Sequence, residues 1–187
     1  RLTLNVWRYT AQNLTERNTY TVRVREPGTN RLVFETTVEL TDPSSTRVEY
    51  TLNDVWTGDY DVYLYNFPFL SRVQKNVHLV AGQETVLDFS TQGKYGDFNS
   101  DDKINYIDLG ALASVYYPRV PTYWLYDLNG DGIINYIELG NFSPNYLLEG
   151  ADFLHQSELP TNVKPTALQL ANGGESLLEA KADVSVT

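Results

Sequence analysis

An internal duplication limits what this chain can fold into more than any other feature. The segment Asp97–Phe98–Asn99–Ser100–Asp101–Asp102–Lys103–Ile104–Asn105–Tyr106–Ile107–Asp108–Leu109–Gly110 returns thirty residues later as Asp127–Leu128–Asn129–Gly130–Asp131–Gly132–Ile133–Ile134–Asn135–Tyr136–Ile137–Glu138–Leu139–Gly140. Nine of the fourteen positions are identical, and Asp108 and Glu138 both carry a carboxylate. Such self-similarity predicts two copies of one supersecondary unit packed together. Oxygen side chains recur at positions 1, 3, 5, 9 and 12 of each copy, and the position 7 carbonyl completes the ring. Calcium takes six to eight oxygens at about 2.4 Å. The predicted ligands are Asp97, Asn99, Asp101, the Lys103 carbonyl, Asn105 (directly or through water) and Asp108, and in the second copy Asp127, Asn129, Asp131, the Ile133 carbonyl, Asn135 and Glu138. Two Ca2+ ions are therefore expected. An all-oxygen set suits zinc and copper badly, and a flexible many-oxygen loop suits the rigid magnesium octahedron badly. Two acidic surface turns are the plainer reading. That reading does not explain five oxygen positions in register around an apolar residue.

Differences between the copies carry their own expectations. Position 6 ordinarily needs a left-handed backbone, which Gly132 adopts freely and Asp102 at a cost of about 1 kcal/mol. Glu138 reaches further than Asp108 and can bind bidentately, so the second site should be the tighter. Ile104 and Ile134, at position 8, are expected to point inward and to pair as a short ladder. Leu109, Leu112, Val115 and Tyr116 form a helical stripe, and Leu139, Phe142 and Tyr146 repeat it. Pro144 should end or kink the second helix near Ser143, and Pro118 and Pro121 should close the first.

Charge places this segment in context. The formal charge of −10 argues against nucleic acid and anionic membrane surfaces as partners and suits divalent cations. Residues 92–138 hold seven acids against three bases, whereas residues 1–91 are nearly balanced. With no Cys there are no disulfides, thiol nucleophiles or iron–sulfur sites. No uninterrupted run of 18 apolar residues is present, so membrane insertion is not expected. His78 and His155 read as surface residues rather than bases, and the clustered carboxylates are committed to metal, so no enzyme is expected. The start at Arg1 suggests a mature or excised piece of a larger protein.

Residues 1–91 read as strands throughout. Leu2, Leu4 and Val6 alternate with Thr3 and Asn5. Tyr20, Val22 and Val24 alternate with Thr21, Arg23 and Arg25, one face buried and one wet. Turns at Pro27–Asn30, Asp42–Ser45, Gly58–Asp59 and Ala81–Gln83 separate about seven short strands, with an edge strand at Val77–Leu79. This pattern predicts an all-β sandwich. Trp7, Trp56, Tyr63, Tyr65, Phe67 and Phe69 would stack on sugar rings if they shared an exposed face. Packing is the favoured reading, with one side of Tyr60–Tyr65 in the core and the other against a second domain.

The fold class is thus multidomain: an all-β sandwich (immunoglobulin-like or prealbumin-like) at 1–91, then a small α-helical calcium domain at 95–160 with two loop–helix repeats. Residues 161–187 read as a linker and β-strand tail. That tail either joins the sandwich, begins another module, or pairs with another copy of the protein.

The tandem Asp-x-Asn-x-Asp-x-x-Ile-Asn-x-x-Asp/Glu-Leu unit over about Gly96–Leu148 resembles a type I-style dockerin domain, a pair of calcium loop–helix motifs. More loosely, residues 1–91 resemble the sandwich modules that precede dockerin-like repeats in bacterial and archaeal surface proteins, through Gly58–Asp59–Tyr60–Asp61–Val62. The resemblance implies an extracellular or cell-surface protein and a cohesin-like partner. It also implies a role in attaching a polysaccharide-degrading enzyme or surface protein. It maps the partner contacts to Tyr106, Ile107, Tyr136 and Ile137 and to the helices after them. Dockerins of this type often carry Ser or Thr at positions 10 and 11; Tyr–Ile in both copies implies a more apolar interface or one within the chain. Alternatives are a calcium-stiffened building block of a surface layer or fibre, and a carbohydrate-binding module.

Overall fold

The computed structural model describes residues 1–7, 18–40, 42, 45–52, 55–117 and 126–152. The expected tail strands, His155 and the closing prolines Pro118 and Pro121 lie outside the described residues.

The alternating stretches form seven strands: β1 (Leu2–Val6), β2 (Thr19–Arg25), β3 (Leu32–Glu39), β4 (Arg47–Tyr50), β5 (Gly58–Asn66), β6 (Phe69–Leu79) and β7 (Thr85–Phe89). They make a three-stranded sheet in the order β4–β1–β7 and a four-stranded sheet in the order β3–β2–β5–β6. In the first sheet β1 runs antiparallel to β4, with Leu4 opposite Val48, and parallel to β7, with Leu4 opposite Leu87. In the second sheet all neighbours are antiparallel. Apolar residues of the two sheets interdigitate in one core that holds Leu2, Leu4, Val6, Val48, Leu87 and Phe89 against Tyr20, Val22, Val24, Tyr60, Val62 and Leu64. This is the sandwich that period-2 alternation requires when each sheet has one apolar face.

The edge strand expected at Val77–Leu79 begins eight residues earlier, at Phe69. The reason lies outside the sandwich. Leu70 donates its N–H to Lys94 O (2.9 Å), and Phe69 bridges to Tyr95, so the connecting segment extends the strand's pairing.

After this connection come α1 (Tyr106–Ser114) and α2 (Tyr136–Phe142), with a 3-10 turn at Ser143–Asn145 where Pro144 forbids further α-helix. Each helix opens on a capping box. Asn105 and Asn135 are the N-caps, and the carboxylates of Asp108 and Glu138 accept from the cap N–H groups. The repeat therefore sets the helix starts as well as the loops. Of the predicted stripe, Leu112, Val115 and Phe142 are buried, whereas Leu109 and Leu139 face solvent.

The helical domain packs around Tyr95, Phe98, Ile104, Leu112, Val115, Ile134 and Phe142, and this core continues into Phe69 and Leu70 of β6 with Trp7 and Phe67 against it. A chain of rings crosses the seam: Trp7 to Phe69 at 5.3 Å, Phe69 to Tyr95 at 6.0 Å, and Tyr95 to Phe98 at 5.2 Å. The sandwich and the helical domain thus share apolar contacts that neither completes alone.

Candidate functional site

Both loops are wound around their first carboxylate. In the first, Asp97 accepts from the N–H groups of Asp101 (3.1 Å) and Asp102 (2.9 Å). In the second, Asp127 accepts from Gly130 (2.7 Å) and Gly132 (2.8 Å). Asn99 and Asn129 accept from the N–H two residues on, as do Asp101 and Asp131. These Asx turns bring the side chains at positions 1, 3 and 5 to one side of each loop. Left-handed backbone occurs at Ser100, Asp102, Gly130 and Gly132, positions 4 and 6 of each copy. The expectation that Asp102 adopts a glycine-like conformation holds, at φ +61°.

The position 12 carboxylates close the loops differently. Asp108 accepts from Phe98 (2.8 Å) and Asn99 (3.3 Å) with one oxygen and from Asn105 (2.9 Å) with the other. Glu138 accepts from Asn135 (2.9 Å) through Oε2, while its Oε1 is buried with no hydrogen-bond partner. A buried, unpartnered carboxylate oxygen costs free energy unless a cation or donor meets it. Among the described residues, no group of three or more His, Cys, Asp or Glu side chains is gathered closely enough to hold a metal ion alone. A metal site here would therefore need the amide and main-chain oxygens of Asn99, Asn105, Lys103 and their counterparts.

The electrostatics agree with the donor set. Burial pushes the Asp97 carboxyl up to about 7, against the pull of the Asp102 N–H and helped by the charges of Asp108, Asp101 and Asp102. Burial also raises Glu138. Carboxylates buried among carboxylates favour a divalent cation, and on these grounds the residues fit calcium.

Ile104 and Ile134 point inward as expected, at 0% and 2% exposure, but the expected ladder between them is replaced by a crossed arrangement. Ile104 O accepts from Leu147 (2.8 Å), and Ile134 O accepts from Tyr117 (2.7 Å). Leu147 and Tyr117, thirty residues apart, both sit at left-handed φ, +68° and +70°. Each helix thus ends by returning to the opposite loop, which gives the domain an approximate two-fold axis.

That axis places Tyr106 and Tyr136 at equivalent, exposed positions, 74% and 72% accessible. Ile107, Leu109 and Leu139 are also exposed, whereas Ile137 is partly buried. Leu147 and Leu148 add further exposed apolar surface. The sugar-stacking set fares differently. Trp7, Phe67 and Phe69 are spent in the shared core, Tyr63 is buried, and Tyr65 is bonded at the seam, so Trp56 alone of the six is exposed.

The seam holds residues that sequence reasoning did not select. Asp152 is fully buried beneath β2 and β5. Its carboxylate meets Arg23 Nη1 at 3.0 Å, Arg25 Nε at 2.9 Å and Nη2 at 3.3 Å, and the Tyr65 hydroxyl. The Arg25 Nε contact is a close ion pair without hydrogen-bond alignment. Burial, then the bond to Asp152, raises the Tyr65 hydroxyl far above its ordinary range. The Arg25 end of the β2 face read as wet is therefore covered: Arg25 is 0% exposed beneath the end of the helical domain, whereas Thr21 and Arg23 stay half-buried. The available signal was two arginines on one strand face beside Asp61, Tyr63 and Tyr65.

The fold is a sandwich module joined to a duplicated loop–helix unit. Two solved structures share this fold. One is an N-terminal interface mutant of a type II cohesin–X–dockerin complex from Acetivibrio cellulolyticus. It is 21% identical, covers 81% of this chain and 97% of that chain, and has a TM-score of 0.54. The other is a C-terminal interface mutant of the type II complex from the same organism. It is 20% identical with the same coverage and a TM-score of 0.53. No family model and no curated protein matches the sequence.

Proposed function

We propose that this chain is a non-catalytic, calcium-dependent protein–protein interaction unit of an extracellular or cell-surface protein. Its helical domain docks onto a cohesin-like partner and so tethers a polysaccharide-degrading enzyme or surface protein. The observation that carries the reading is the symmetric exposure of Tyr106 and Tyr136 on a domain of dockerin-like fold. Large aromatic side chains held in the open at the first turn of a helix are poorly used inside the chain and well suited to burial by a partner. Ile107, Ile137, Leu109 and Leu139 border them.

Two calcium ions would be held by Asp97, Asn99, Asp101, the Lys103 carbonyl, Asn105 and Asp108, and by Asp127, Asn129, Asp131, the Ile133 carbonyl, Asn135 and Glu138. When bound, the ions would supply charge balance and folding energy to loops that are otherwise self-repelling. Glu138, whose Oε1 is buried without a well-aligned hydrogen bond, supports the second loop as the tighter site. The helix caps at Asn105 and Asn135 fix α1 and α2 relative to the loops, so loop order becomes helix presentation.

The test is a calcium titration of the intact chain with and without a panel of cohesin modules, read by light scattering and calorimetry. Calcium-dependent complex formation that weakens at least tenfold in Tyr106→Ala/Tyr136→Ala supports the proposal. Calcium binding with no complex across the panel, or a complex indifferent to both tyrosines, rejects it as drawn.

A further inference from the structure

The two copies differ most at position 6, and the difference is not confined to the loop. Gly132 uses its N–H to bind Asp127 (2.8 Å), and a side chain there would meet open space. Asp102 makes the same main-chain bond, to Asp97 (2.9 Å), but its side chain is fully buried against the sandwich. Its two carboxylate oxygens accept from the Ser71 N–H (2.6 Å) and the Ser71 hydroxyl (2.5 Å), both on β6. Ser71 Oγ in turn accepts from the Asp152 N–H (2.8 Å), and Gly150 donates to the Asp102 carbonyl (2.7 Å). The fit admits no bulk: a Cβ on Gly150 would lie 1.9 Å from Asp102 Oδ1.

From this arrangement we infer that Ser71, a sandwich residue, is a positioning residue for the first ion-binding loop, acting through Asp102. The inference rests on the calcium reading of that loop. Asp102 stands between Asp101 and Lys103, and its N–H orients Asp97, so its backbone is part of the ligand frame. A non-glycine residue holds left-handed φ only when its surroundings over-determine it. Here the determinants are on another domain. Charge-assisted bonds from Ser71 hold the carboxylate, and the carboxylate holds the loop. Coupling between two equilibria is reciprocal. Ion binding in the first loop therefore tightens the seam, and the closed seam raises that loop's affinity. The second loop, with Gly132, is outside this circuit.

The experiment is a calorimetric calcium titration of the intact chain beside Ser71→Ala and Ser71→Thr, with amide exchange at Ser71 as a second readout. Ser71→Ala should weaken one of two sites about tenfold and leave the other unchanged. Ser71→Thr, which keeps the hydroxyl, should restore it. In the unsubstituted chain calcium should slow exchange at the Ser71 amide. Asp102→Gly supplies a second background, in which Ser71→Ala should no longer change either site. Equal titrations of Ser71→Ala and the unsubstituted chain overturn the inference, as does an equal loss at both sites or a Ser71→Ala effect that persists with Asp102→Gly. Absence of any calcium binding defeats the calcium reading itself. Normal binding that is indifferent to Ser71 defeats only this coupling.

Discussion

Asp152→Ala should be among the most damaging single substitutions in this protein, although Asp152 belongs to neither loop. The carboxylate and the Arg25 guanidinium are each 0% exposed, and Arg23 is only about one-fifth exposed. Removing one partner of a buried ion pair costs about 3–5 kcal/mol, because the other is left charged in a site closed to water. Arg25 would keep its bond from Nη1 to Asn30 O (2.9 Å), a neutral acceptor that does not balance its charge. With a urea dependence of about 2 kcal/mol/M, the unfolding midpoint should fall by about 2 M. Asp59→Ala, which removes a solvent-exposed contact to His78, should leave the midpoint within error. Most of the loss belongs to the stranded guanidinium. Adding Arg25→Met to Asp152→Ala should therefore recover a substantial part of it. A midpoint change worth less than about 1 kcal/mol, or a double variant no more stable than Asp152→Ala, refutes the reasoning.

Two further outcomes are expected. Chelation should remove amide protection across both loops, α1, α2 and the start of β6, while β1, β4 and β7 keep theirs; protection unchanged by chelator across Asp97–Asp108 and Asp127–Glu138 sinks the calcium-coupled folding of the domain. Phe142→Ala, which empties a site stacked on Phe98 at 6.1 Å, should cost about 3–5 kcal/mol in the calcium-loaded chain, and a loss under 1 kcal/mol shows that this core is not close-packed.

The loops and helix starts were legible because they are local. Asp97 and Asp101 act within a few residues of chain, and Asn105 and Asp108 cap the helix they precede, so the spacing of oxygen side chains carries the geometry. Pro144 acts on its own helix and ends it where expected. Strand alternation likewise located the sandwich core, since a sheet residue's side is set by parity.

Alternation by itself reports only which side of a strand is apolar; it says nothing about what covers the other side. Arg23 and Arg25 read as solvated because they alternate with the apolar face of β2, and Asp152, which covers them, lies 127 residues beyond Arg25. Asp102 read as a compromised glycine because its loop alone gives the carboxylate no task. Ser71, on another domain, gives it one. Ile104 and Ile134 were rightly placed inward, yet their main-chain partners are the segments that follow the opposite helices. The sequence by itself determined two oxygen-rich loops and two capped helices, set by interactions that span a few residues, and the strand alternation that calls for a sandwich. Tertiary structure alone decided that the sandwich and the helical domain close over shared buried charges and one continuous apolar seam. A buried ion pair or hydrogen bond is defined by where two distant segments meet, and spacing along the chain does not encode that meeting.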